Sequence, residues 1–277
     1  MFWQRTLFTL VALPVGILFV FLGGWWYAGF IVIVLMRAAW EYADLFRNGG
    51  GKSAQWILVV GVLAISTARF VTGFQQDHWV LAAICAIAIT FYLMAYERGH
   101  DRAASDFAAT LSGIFYVGLL GSYLILIRQL PEDGEWWVML TIFAVMLADT
   151  TAYMYGMRFG KRRLAPRLSP KKSWEGFLSG VVAATIGTPL FLLVFRAFGL
   201  PDEPAFSLGN AAMMGFLIGV LTTLGDLGIS MIKREMKLKD TSAILPGHGG
   251  VLDRIDSWLW AFPIGYYLVL FLFLNAK

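Results

Sequence analysis

Residues Ser230–Asp256 read SMIKREMKLKDTSAILPGHGGVLDRID, with five basic residues, four carboxylates, one histidine and three glycines. Apolar sequence flanks this stretch on both sides, over 207–232 and 257–275. Charged groups are costly next to hydrocarbon, so a dense polar segment joined to two apolar helices reads as a functional site held by a membrane bundle.

The composition agrees with that reading. Of 277 residues, 58% are hydrophobic and 14% are charged, whereas soluble domains are about 25% charged. Nine apolar runs reach the roughly 20 residues a helix needs to cross a bilayer: 6–22, 26–42, 54–72, 79–96, 104–127, 136–157, 174–197, 207–232 and 257–275. They predict an all-α, polytopic integral membrane bundle of nine transmembrane helices. The pair Gly23-Gly24 marks either a tight hairpin or a kink between the first two runs. The first run lacks a small-residue cleavage pattern and is read as a retained helix. No connection is long enough for a soluble domain, so 1–277 is read as one unit. Within it, 1–135 forms a scaffold and 136–277 carries the motifs. The single cysteine, Cys85, falls mid-helix and is read as a small packing residue.

Most of the 22 Lys and Arg residues fall in the loops after the second, fourth, sixth and eighth runs. The opposite loops carry Asp77, Glu132, Asp133, Glu135, Asp202 and Glu203. The positive-inside rule then predicts a cytoplasmic amino terminus and an external carboxy terminus. The two most basic loops, after the sixth and eighth runs, face the cytoplasm.

The eighth run ends LGDLGISMIKREMKLKD, with Asp226, Ser230, Lys233 and Lys237 at helical spacing along one stripe. Asp226 lies about 10 Å deeper than Lys233 at 1.5 Å per residue. A carboxylate there needs a cation, either a metal ion or a basic side chain from a neighbouring helix. Pro246 then stops the helix, and Gly247, Gly249 and Gly250 let backbone amides approach a ligand. Such loops suit phosphate oxygens. Asp253 and Asp256, three residues apart, either bind a metal with phosphate or favour a helix amino terminus. The sixth run repeats the pattern, with Asp149, Tyr153 and Gly156 on one face before a loop of seven Lys and Arg residues. That loop holds Ser169-Pro170-Lys171-Lys172-Ser173; Ser173 is placed to cap the next helix, whose Gly176 and Gly180 suit close helix packing. The pattern contains no HExxH, CxxC, Walker A or GxSxG motif and points to no nucleic acid. Acidic groups, a glycine loop and clustered cations at one membrane face suit phosphoryl chemistry on a lipid.

The same residues resemble the signature of the phosphatidate cytidylyltransferases (CDP-diacylglycerol synthases). The resemblance rests on Ser230, Lys233-Arg234, Lys239-Asp240, Pro246-Gly-His248-Gly249-Gly250 and Asp253-Arg254-Ile255-Asp256. The segments around Asp149 and Ser169 are similar to that family too. Many members carry glutamate before the serine, where this chain has Ile229.

The resemblance implies transfer of CMP from CTP to phosphatidate, with Mg²⁺ and room for a second, monovalent cation. It implies Asp226, Asp253 and Asp256 as metal ligands, with Ser230 beside them. Lys233, Arg234, Lys239, Arg254, Lys171 and Lys172 would hold phosphates, and Lys233 and Arg254 would act at the reacting groups. Gly249 and Gly250 would approach the substrate, Asp149 would orient a lysine or reach a second cation, and His248 would shape the loop or touch a phosphate. A homodimer is left open. The expected location is the inner membrane of a prokaryote, with the site facing the cytoplasm. A transferase using another lipid phosphate and a lipid transporter are the competing readings.

Overall fold

The computed structural model describes residues 2–131, 133–242, 244 and 249–274. Glu132, Pro246, Gly247 and His248 lie outside the described residues. The chain forms two compact units. One comprises Met1–Leu126 with Ile232–Ile255, and the other comprises Ile127–Met231 with Asp256–Lys277. Most of the polar signature, Ile232–Ile255, belongs to the same unit as the amino-terminal helices.

The first unit contains α1 (Phe2–Leu22), α2 (Gly24–Asn48), α3 (Gln55–Thr72), α4 (Asp77–Glu97) and α5 (Ala103–Gly113), which continues as a π-helical segment, Ile114–Leu119. α6 (Tyr123–Arg128) follows. Gly23 adopts φ 62°, and the rings of Phe19 and Phe30 stack 4.6 Å apart. Eleven residues of straight helix would separate them by about 16 Å, so Gly23 makes a hairpin.

Arg69, 2% exposed at the end of α3, fastens this unit. It pairs with Asp77 at 2.7 Å and donates to the Leu119 carbonyl at 2.7 Å and the Ser122 hydroxyl at 2.9 Å. Its guanidinium also lies over the rings of Phe74 and Tyr123, so a buried charge is met on every side. The Tyr92 hydroxyl joins the Ala54 amide to the Thr110 hydroxyl.

The second unit contains α7 (Gly134–Phe159), strands β1 (Arg163–Ala165) and β2 (Ser169–Ser173), α8 (Trp174–Arg196), α9 (Leu208–Glu235) up to Met231, and α11 (Trp258–Tyr267) with a π-helical extension, Leu268–Leu274. Between α9 and α11 lies the short α10 (Leu252–Ile255), in the first unit. The β1–β2 hairpin is antiparallel, with Arg163 opposite Ser173 and Ala165 opposite Ser169. The expected fold was all-α with Ser169–Ser173 as a loop; those residues form a strand because the reversal at 166–168 lets the two segments pair.

α7 and α8 pack closely. A Cβ on Gly176 would lie 2.6 Å from the Ala152 carbonyl oxygen, and one on Gly180 would lie 2.6 Å from that of Ala148. Ser173 accepts the Gly176 amide at 3.2 Å and caps α8. Both expectations for this helix start are met.

Six helical spans are long and apolar enough to cross a membrane among the described residues: Gln55–Thr72, Asp77–Glu97, Ala103–Arg128, Gly134–Phe159, Trp174–Arg196 and Leu208–Glu235. The outward stripe Leu178, Val182, Ile186 and Leu190 on α8 is exposed; water would penalise such a stripe, whereas lipid accepts it. Cys85, expected to pack, is exposed on α4. The architecture is that of an integral membrane protein, almost wholly helical.

Gly180→Leu forces α8 away from the Ala148 carbonyl and should cost about 1–3 kcal/mol. Gly29→Ala, where a Cβ meets nothing within 4 Å, should leave stability nearly unchanged. Thermal unfolding of both variants in detergent micelles checks the difference.

Candidate active site

The helix-breaking stretch after α9 is built around Asp253. α9 ends at Glu235, and the chain turns by placing Lys237 in the left-handed region, at φ 58°. The Leu238 amide bonds back to the Lys233 carbonyl at 2.8 Å and closes the helix end. The expected stripe therefore loses its last member: Lys237 lies beyond the helix, while Asp226, Ser230 and Lys233 remain on α9.

Lys233 reaches the Asp253 Oδ1 at 2.6 Å, and both side chains are largely out of water, 11% and 6% exposed. Asp253 Oδ2 accepts the Thr241 amide at 2.8 Å, the Thr241 hydroxyl at 2.9 Å and the Gly250 amide at 3.0 Å. Gly249 has φ 78°, and a Cβ there would lie 2.8 Å from Asp253 Oδ2. Only glycine combines that backbone with that approach. Burial by itself pushes the Asp253 carboxyl up; the hydrogen bond and charge of Lys233, with the Gly250 and Thr241 amides, outweigh it and hold it below the ordinary carboxylate range.

Sequence reasoning missed Glu41. It is 0% exposed on α2 and accepts from the Ser242 hydroxyl at 2.7 Å, the Leu252 amide at 2.8 Å and the Thr241 hydroxyl at 3.1 Å. Arg37 pairs with it at 3.1 Å, one helical turn away. The only signal was an Arg and a Glu spaced i, i+4 inside an apolar run, which also suits a helix end near water.

The second unit holds its own cluster. Lys172, on β2, pairs with Asp226, whose Oδ1 accepts the Ser230 hydroxyl at 3.2 Å. Both side chains are about a third exposed, 27% and 31%. Asp256 is buried, and its Oδ1 accepts the Ser257 amide at 2.7 Å. Asp149 on α7 and Lys171 on β2 are exposed. In the first unit, Arg234, Lys239 and Arg254 are exposed, Gly250 is buried and Gly249 partly so. His248 lies outside the described residues. Ile229 is 0% exposed, so the residue before Ser230 packs in the interior.

Each unit thus carries a lysine–carboxylate pair with a hydroxyl beside the carboxylate, Lys233–Asp253 with Thr241 in the first and Lys172–Asp226 with Ser230 in the second. Among the described residues, no three His, Cys, Asp or Glu side chains converge on one metal position.

A sequence profile of the cytidylyltransferase family matches residues 3–272, and the chain belongs to that family. A phosphatidate cytidylyltransferase of a Synechocystis species is 31% identical, over 97% of this chain and 97% of its own length. One from Staphylococcus haemolyticus is 30% identical, over 94% and 96%. One from Mycobacterium bovis is 39% identical, over 76% of this chain and 65% of its own length.

Asp253→Asn leaves Lys233 buried without its charge partner, which should cost about 3–5 kcal/mol. The double variant Lys233→Met/Asp253→Asn should recover part of that loss. Because the Asp253 pKa is depressed in the fold, its contribution is present above about pH 4, the ordinary aspartate value, and is lost as pH falls through the depressed value. Unfolding measured from pH 7 down to pH 3 should show that loss in the wild type and not in the double variant.

Proposed function

We propose that the chain is a phosphatidate cytidylyltransferase, transferring CMP from CTP to phosphatidate to give CDP-diacylglycerol and pyrophosphate in phospholipid biosynthesis. The observation that carries the reading is the Lys233–Asp253 pair, with Thr241, Gly249 and Gly250 folded onto the carboxylate, in a chain of the cytidylyltransferase family.

A phosphatidate oxygen attacks the α-phosphorus of CTP, a new P–O bond forms, and the bond to the β-phosphate breaks in line. The electron pair leaves with pyrophosphate. The nucleophile is an anion at neutral pH, so the protein must position two anions and neutralise charge rather than remove a proton.

Lys233 and Arg254 take the reacting phosphates, while Arg234, Lys239, Lys171 and Lys172 hold the remaining phosphate oxygens. Gly249, Gly250 and His248 belong to the loop around them, and Asp149 orients a lysine. Lysine can turn from a carboxylate to a phosphate, since both offer anionic oxygens.

Hard oxygen donors suit Mg²⁺, which takes one or two carboxylates and completes its shell with phosphates and water. Asp226 fits that requirement: its side chain is 31% exposed and the Ser230 hydroxyl lies beside it. Asp226 would hold the ion, which when bound would neutralise charge on the triphosphate; Asp253, whose oxygens are taken by Lys233, Thr241 and Gly250, and Asp256 belong to the ligand set only as the resemblance implies it. A second, monovalent cation is part of the same proposal. The same proposal has the chain cross a prokaryotic inner membrane nine times, as its apolar runs support, with a cytoplasmic amino terminus and a basic cytoplasmic face, as its loop charges support.

Labelled CTP incubated with detergent-purified protein, phosphatidate and Mg²⁺ should yield CDP-lipid. Asp226→Asn should lower the rate at least 100-fold, and chelation of Mg²⁺ should abolish product. A folded protein that forms no CDP-lipid from phosphatidate overturns the reading: product from another lipid phosphate would mark a different lipid transferase, and no product from any lipid phosphate would leave lipid transport in its place.

A further inference from the structure

Glu41 lies about 200 residues from the loop it touches and belongs to no recognised motif of the chain. Its carboxylate nonetheless makes four polar contacts, as many as Asp253 in the same unit. Oε1 accepts the Ser242 hydroxyl and pairs with Arg37, while Oε2 accepts the Leu252 amide and the Thr241 hydroxyl. Two oxygens offer about four acceptor positions; three are taken by Ser242, Arg37 and Leu252, and the fourth faces the Thr241 hydroxyl.

The loop is drawn onto this carboxylate so closely that Gly250 has no room for a side chain. A Cβ there would lie 2.0 Å from the Thr241 Oγ1 and 2.3 Å from Glu41 Oε2. The Thr241 hydroxyl stands 3.1 Å from Glu41 Oε2 and 2.9 Å from Asp253 Oδ2. It has one proton and two carboxylate neighbours, so the positions of the two acids are coupled through it. Leu252, the other anchor, immediately precedes Asp253.

A buried ion pair is a poor source of stability, because desolvation offsets most of its attraction. What it does supply is direction. We infer that Glu41 is a positioning residue for the cytidylyl transfer: through Thr241, Ser242 and the Leu252 amide it fixes the loop that carries Gly249, Gly250 and Asp253. Glu41 itself touches no substrate. The inference rests on the proposed reaction for its kinetic consequence, and on the geometry alone for its effect on the loop.

The test is Glu41→Gln, purified in detergent and measured in two ways. CDP-lipid formation from CTP and phosphatidate gives kcat and KM, and amide hydrogen exchange of peptides covering 249–255 gives loop order. The amide side chain keeps the volume but removes the negative charge and turns one oxygen into a donor, so the Arg37 pair is lost and the remaining hydrogen bonds to the loop lose their charge assistance. The expected result is a fall of at least tenfold in kcat/KM and at least tenfold faster exchange at Leu252. Exchange in α3 should not change.

Wild-type kinetics together with wild-type exchange overturn the inference, and so does faster exchange throughout the unit, which marks Glu41 as a general structural residue. If the wild type forms no CDP-lipid while Glu41→Gln loosens 249–255, the proposed reaction falls and the anchoring role stands. Should Glu41→Gln fail to fold, Thr241→Val and Ser242→Ala remove single anchors. Each should loosen the same peptides, and unchanged exchange in both overturns the inference. Lys52→Ala, whose side chain takes no part in this network, serves as the control with kinetics near wild type.

Discussion

The carboxylate of Asp253 is the interaction on which the signature depends. An aspartate almost out of water is unfavourable unless its charge is met and its lone pairs are filled. Lys233 meets the charge, and two amides and a hydroxyl fill the lone pairs. Each of those partners is then constrained in turn. The last turn of α9 must present Lys233, residue 241 must be a donor, and residue 249 must lack a side chain. A string of identities that looks like a motif in sequence is, in space, the satisfaction of one buried acid.

Much of this was legible from composition and spacing, and the failures have physical causes. Apolar runs located the helices, since hydrocarbon length is a strong constraint on helix length. Ser173 was legible as a cap because capping acts within four residues, and Gly176 as a packing glycine because closely packed membrane helices need small residues at their contact. Ser169–Ser173 was read as a loop: five residues with a proline and two lysines carry little strand propensity, and pairing with Arg163–Ala165 supplies what propensity lacks. Lys237 was placed on a stripe because periodicity does not reveal where a helix closes; the left-handed residue does. Glu41 was missed for a deeper reason. Its partners lie about 200 positions away, and no local pattern encodes them.

Ile229 shows the limits of motif transfer. Its side chain is wholly buried, so an acid at that position would need its own cation or proton. Isoleucine removes that demand and packs instead. Ser230, the next residue, keeps its contact with Asp226. The two adjacent positions therefore face different requirements, and a change at one leaves the other intact.

In the second unit the same economy places Lys172. Its strand is held at one end by the Ser173 cap on α8 and across the hairpin by backbone pairing with β1. Glu175 then accepts the amides of Lys161 and Arg162 at 3.0 and 3.2 Å, pinning the start of the hairpin to the start of α8. A lysine on a free loop would give up rotamer and backbone freedom to reach Asp226. Here the backbone half of that cost is already met in folding, so Lys172 meets Asp226 from an ordered strand. The basic loop is thus an ordered platform for charge, and its order comes from a helix cap and a three-residue strand.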